Sequence, residues 1–339
     1  MSTIEILVSE YRNNILECVH SGILTVVSPE GLKYSVGDPN HLMFYRSASK
    51  PVQAIPVVQL GIDKKYGLTD EEVAIMAGSQ RGEFAHIDVI NSLMKKTEIR
   101  EEMLVMLPTY PLDMPTKEEL IKRKLPTRKI YHNCIGKHIA CILVQRELGG
   151  REEDYWKPDS LSQQLIMDYV SLVSEYPREN IKTGTDGCGV PVFAVPIRYM
   201  ANTFLRLACP QLVKNEEIKP AIERISSLMN KYPRMISGSN AICTLLNEDK
   251  NIVAKGGALG VYCFGLRKER LGIAYKVMDG SYDELPLIAV TILKHIGYEK
   301  TETIKRVTDQ FPFTIKNDCG MEVGKYVIEF KLQGSAVAL

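Results

Sequence analysis

The hydrophobic period of this chain changes twice, and that change constrains the fold more than any other feature. Residues 15–36 carry the two-residue rhythm of strands in apolar and β-branched side chains, and so do 252–254, 258–264, 271–277 and 326–332. Between them, residues 83–96, 116–122, 139–148, 161–173, 199–207 and 217–231 carry helical spacing, as does the later stretch 283–296. Strands at both ends of the chain around a helical middle predict an α+β protein. Its antiparallel sheet is assembled from the two ends, and its helices are inserted between them. A turn at Ser28-Pro29-Glu30-Gly31 makes the first pair a hairpin, and Gly37-Asp38-Pro39-Asn40 is the loop leading out of it. Thr69-Asp70-Glu71-Glu72 has the form of a capping box, opening a helix through Met76. Residues 182–191 are so rich in Gly, Thr and Asp that a loop is expected there. With no repeat or low-complexity tract, the whole of 1–339 is expected to be one domain.

Composition narrows the partners. The 42 basic residues nearly cancel the 41 acidic ones, so nothing draws the chain to nucleic acid or to an anionic membrane. A small zwitterionic or neutral substrate suits that balance. Residues 1–6 lack a basic region followed by an apolar core, and no apolar run is long enough to span a bilayer, so a cytoplasmic protein is expected. In that compartment the eight cysteines are expected as free thiols, metal ligands or reactive groups rather than disulfides.

Three stretches carry chemistry. In Arg46-Ser47-Ala48-Ser49-Lys50-Pro51, just ahead of an apolar run, a helix start would put Ser47 and Lys50 one turn apart on one face, with Pro51 in the first turn. A desolvated lysine can take a serine's proton and make an acyl-accepting nucleophile. Serine β-lactamases and penicillin-binding proteins use this Ser-x-x-Lys spacing, although most matches to it are helix starts with a solvated lysine. Gly78-Ser79-Gln80-Arg81-Gly82-Glu83 places a serine between glycines, the usual composition of a plain turn. His132-Asn133-Cys134-Ile135-Gly136-Lys137-His138 is dense in metal-capable groups, and residue types alone would put Cys134, His132 or His138, and Cys188 forward as a zinc set. The competing reading of Cys134 and Cys188 is as small buried residues.

These stretches, with Asp186-Gly187-Cys188-Gly189-Val190-Pro191 and Lys255-Gly256-Gly257-Ala258, occur in an order that resembles the asparaginase II family. That family comprises thermolabile L-asparaginases similar in fold to serine β-lactamases and glutaminases. The resemblance implies two serine–lysine pairs, Ser47 with Lys50 and Ser79 with Lys255, and Ser47 is the expected nucleophile. Two ammonium groups sharing a shielded pocket lower the pKa of at least one of them, which supplies a base near neutrality. It also implies one zinc ion per chain on Cys134, Lys137 and Cys188, orienting substrate rather than driving the acyl chemistry, and a homodimer. The expected substrate is L-asparagine. Asp186 suits its α-ammonium and Arg46 its α-carboxylate, while His138 and Cys243 match family residues near the pocket. The chain departs from the family at Gln80 (commonly His), Ala241 (usually Arg) and Leu259 (usually Glu), which bears on substrate preference more than on reaction class. The alternatives are another Ser/Lys amidohydrolase, such as one acting on glutamine, or a zinc-stabilised relative that binds an amino acid without turnover.

Overall fold

The strand period that begins at Ile15 runs unbroken for 14 residues, and this one strand organises the larger sheet. The computed structural model describes residues 3–332; residues 1–2 and 333–339, the two ends of the expected 1–339 unit, lie outside the described residues. The described strands are β1 (Glu5–Arg12), β2 (Ile15–Ser28), β3 (Gly31–Val36), β4 (Leu42–Phe44), β5 (Lys182–Thr185), β6 (Pro191–Pro196), β7 (Ile252–Gly257), β8 (Val261–Leu266), β9 (Leu271–Val277), β10 (Thr314–Lys316) and β11 (Glu322–Ile328). Eight of them form one antiparallel sheet in the order β10-β11-β1-β2-β9-β8-β7, with β3 also paired to β2. The first half of β2 pairs β1, with Arg12 opposite Ile15, and its second half lies between β3 and β9, with Val27 opposite Leu32 and Gly272. The expected α+β arrangement is therefore present, with sheet from both chain ends and helices from the middle. A small second sheet, β4-β6-β5, stands beside it.

Two strands differ from the sequence reading, one unread and one read as loop, each for an identifiable reason. Strand β1 escapes the sequence because its register slips between Ile6 and Val8, so Leu7 and Val8 are buried in succession and the alternation breaks. The segment 182–191 is not all loop. Lys182–Thr185 pairs with Pro191–Pro196, and only the turn between them stays irregular. Its Gly and Thr residues have weak strand preference, and the ladder with β6 overrides it.

The helix Lys50–Gln59 is buried from Lys50 to Val57, as befits an element surrounded on every side. It packs against the helices Ile135–Glu147, Leu161–Ser174 and Lys219–Lys231. The helix Ile197–Ala208 lies on β8 and β9, where Gly265 and Gly272 face each other across the two strands. A Cβ on Gly272 would stand 2.0 Å from the Ala201 carbonyl oxygen, and one on Gly265 would stand 2.0 Å from that of Phe204. Only bare backbone lets the helix sit this close. Among the described residues no helix is long and apolar enough to cross a membrane.

Candidate active site

The chain leaves β4 and turns sharply at Arg46, whose φ of +49° lies in the left-handed region that residues with a side chain seldom occupy. A 3-10 turn, Arg46–Ser49, follows, so the α-helix begins at Lys50 rather than at Ser47. The Lys50 backbone N–H donates to the Ser47 carbonyl, and Pro51 occupies the first turn as expected. The Lys50 side chain is fully buried. Its Nζ donates to Ser79 Oγ at 2.9 Å and to the Asn133 carbonyl at 3.1 Å. Lys255 reaches the same hydroxyl from the edge strand β7, with Nζ 2.9 Å from Ser79 Oγ and 2.7 Å from the Gly256 carbonyl. Two buried amines thus converge on one serine. The expected Ser47–Lys50 hydrogen bond does not form: among the described residues the Ser47 hydroxyl has no partner, and it lines a cavity of about 660 Å³ together with Ser79 and Lys255.

Ser79 is held from behind. Its N–H donates to the Ile236 carbonyl at 2.8 Å, and a Cβ on Gly78 would come within 2.3 Å of the Met235 carbonyl oxygen. Gln80, one of the departures from the family pattern, braces the same turn by donating to the His132 carbonyl at 2.9 Å and accepting from the Gly82 N–H. Buried Glu83 accepts from the Ser239 N–H and from Arg234, fixing the loop that carries Ser237, Ser239 and Asn240 onto the cavity wall. Burial lowers the pKa of both lysines. For Lys255 the neighbouring Lys50 charge adds to the effect and brings it to about 8, and for Lys50 the Lys137 ammonium adds to it. One of the two amines can therefore be neutral at slightly alkaline pH and take the Ser79 proton.

Beyond Lys50, one donor atom from each of Cys134, Asp186 and Cys188 lies within 4.8 Å of the others. The hydrogen bond between the two thiols lowers the Cys134 pKa, helped by the charges of Lys50 and Lys137, and raises that of Cys188. Burial works against the Lys137 ammonium, yet Cys134, Cys188 and Asp186 outweigh it and raise its pKa. Its Nζ stands 3.2 Å from Asp186 Oδ2. Two thiols and a carboxylate around one point are a donor set that fits a zinc-like ion. As a ligand, Lys137 must first lose its proton.

The remaining predicted residues divide. Cys243 lines the cavity, its Sγ accepting from the Gly256 N–H at 3.1 Å. Arg46 and Asp186 pair with each other at 3.0 Å, and neither lines that cavity. His138 is fully buried, with Nδ1 2.7 Å from the Tyr155 hydroxyl, and is likewise absent from the wall. Burial lowers its pKa well below the usual imidazole value. Sequence reasoning missed Arg81, Asp283 and Tyr262, all on the cavity wall. Arg81 lies inside the Ser79 stretch and was legible there; Asp283 and Tyr262 had no local signal. Ala241, where the family usually has arginine, brings only a methyl group to the wall.

Solved structures similar to this one include a β-lactamase from Mycobacterium bovis (15% identity, TM-score 0.43, covering 80% of this chain and 94% of that one). Others are a class C β-lactamase from Rhodobacter sphaeroides (15%, 0.43, 81% and 94%) and a probable glutaminase from Bacillus subtilis (14%, 0.37, 82% and 84%). Overlaps this low carry nothing about activity. No curated protein matches the sequence significantly. The L-asparaginase II family model matches residues 8–328, nearly the whole chain, and the protein therefore belongs to the L-asparaginase II family, a membership that supports a hydrolase acting on amides.

Proposed function

We propose that the protein is an L-asparaginase, hydrolysing the side-chain amide of L-asparagine to L-aspartate and ammonia through a serine acyl-enzyme. The observation that carries this reading is the convergence of two buried lysines on Ser79 inside the cavity that Ser47 also lines. Ser47 attacks the amide carbon, and its proton passes by way of Ser79 to whichever lysine is neutral. Backbone N–H groups on the cavity wall beside Ser47 hold the tetrahedral oxyanion. As the intermediate collapses, the C–N bond breaks and the lysine returns the proton to the departing nitrogen, which leaves as ammonia. Water loses a proton along the same route, attacks the ester and releases aspartate and the Ser47 hydroxyl. Arg46 and Asp186, which lie outside the lining of that cavity, are the groups whose charges match the zwitterionic end: substrate that displaces their mutual ion pair would place its α-carboxylate on Arg46 and its α-ammonium on Asp186. Cys134, Cys188 and Lys137, with Asp186 in reach, would hold zinc, which supplies charge that orients substrate.

Mass spectrometry after incubation with an acylating asparagine analogue tests the scheme. Ser47 is expected to gain mass, and ammonia is expected from asparagine in preference to glutamine. Mass on Ser79 would exchange the roles of the two serines. Absence of ammonia release from folded protein would overturn the reading in favour of an amino-acid binder.

A further inference from the structure

A second cluster of donor groups lies where the β1–β2 hairpin meets the segment after β9. Glu10 and His20 come from adjacent strands, and Asp279 and Glu284 come from the stretch between β9 and the helix Leu285–His295. His20 Nδ1 is 2.7 Å from Asp279 Oδ2, while its Nε2 is 3.1 Å from Glu10 Oε1 and 3.3 Å from Glu284 Oε1. One donor atom from each of Glu10, His20 and Glu284 lies within 4.8 Å of the others.

Three observations ask for a cation here. First, three carboxylates surround one imidazole, and among the described residues none of the three pairs with a lysine or arginine. Lys276, the neighbouring cation, gives its ammonium to the carbonyls of Leu259 and Val277 instead. Even a fully protonated ring leaves the cluster negative. Second, the Glu284 side chain is only 1% exposed, and its Oε2 has no hydrogen-bond partner. A carboxylate oxygen taken out of water without a partner is costly unless something charged sits against it. Third, the ring is oriented as a metal ligand is. Nδ1 stands against Asp279 while Nε2 faces the oxygens of Glu10 and Glu284, so a proton or a metal must lie between Nε2 and those carboxylates.

We propose that Glu10, His20 and Glu284 form a second divalent-cation site, separate from the cysteine cluster, for an ion that suits imidazole and carboxylate together, such as manganese or zinc. Asp279 holds the ring from behind. The ion clasps the β1–β2 hairpin to the turn whose Tyr282 and Asp283 line the active-site cavity, so it braces one wall of that cavity.

Manganese is the discriminating probe, because thiols bind it weakly and the cysteine cluster stays silent. Titrating Mn²⁺ into the chelator-stripped full chain, with free Mn²⁺ followed by electron paramagnetic resonance, is expected to show about one bound ion per chain and a rise in melting temperature. His20→Gln and Glu284→Gln should each weaken binding at least tenfold, while Cys188→Ser leaves it unchanged. Wild-type protein that binds no Mn²⁺ at millimolar concentration, and whose only zinc is lost in Cys188→Ser, would overturn the proposal and leave the cluster to a protonated imidazole. So would Mn²⁺ binding that His20→Gln does not change. The wild-type titration decides the matter even if a variant folds poorly.

Discussion

Replacing Lys255 with methionine should make the protein more stable at neutral pH while abolishing turnover. Lys255 is 1% exposed, and its pKa falls from 10.5 to about 8. At 1.36 kcal/mol per pH unit, holding that ammonium out of water costs about 3 kcal/mol wherever the folded protein keeps it charged. Methionine has a similar length and no charge, so it removes the cost. It also forfeits the hydrogen bonds to Ser79 Oγ and the Gly256 carbonyl, roughly 1 kcal/mol each. The net expectation at pH 7 is a gain of about 1 kcal/mol. The sign reverses with pH. A lysine depressed in the fold binds fewer protons than in the unfolded chain between pH 8 and 10.5, so wild-type stability climbs through that window as the amine discharges. At its upper end the variant keeps only its losses and should be the less stable protein by roughly 2 kcal/mol. Urea denaturation of both proteins at pH 7 and near pH 10, with ammonia release assayed alongside, measures each quantity. A variant destabilised by the same amount at both pH values would refute the argument, because it would mean that the Lys255 ammonium is not paying a desolvation cost.

Ser79→Ala removes the hydroxyl on which both lysines converge, and turnover should fall by roughly 10³ or more with the fold intact; wild-type rates in this variant would remove Ser79 from the proton path. Cys188→Ser should lose bound zinc, raising the apparent KM more than it lowers the maximal rate. Elemental analysis that finds no zinc in the native protein would dispose of that claim. Gly272→Ala should destabilise the chain by about 3 kcal/mol, because its Cβ would drive into the Ala201 carbonyl oxygen, and a urea midpoint equal to wild type would contradict the close packing of that helix on the sheet.

The hydrophobic rhythm by itself determined the division into sheet-forming ends and a helical middle, because side-chain periodicity is a local property that burial must match. The order of the chemical stretches likewise pointed to the family and brought Ser47, Ser79, Lys50 and Lys255 forward. What the sequence could not decide was which amine meets which hydroxyl. Ser47 and Lys50 are three residues apart, yet the 3-10 turn at Arg46–Ser49 sends the Lys50 side chain toward Ser79, 29 positions away, where Lys255 arrives from 176 positions beyond. Spacing fixes the distance between neighbouring backbone positions, while the direction of a buried side chain is set by whatever packs against it. The same reason hid the Arg46–Asp186 ion pair, the approach of Asp186 to Cys134 and Cys188, and the meeting of Glu10, His20 and Glu284. Each joins groups from distant segments whose charges become neighbours only when helix and sheet close on one another.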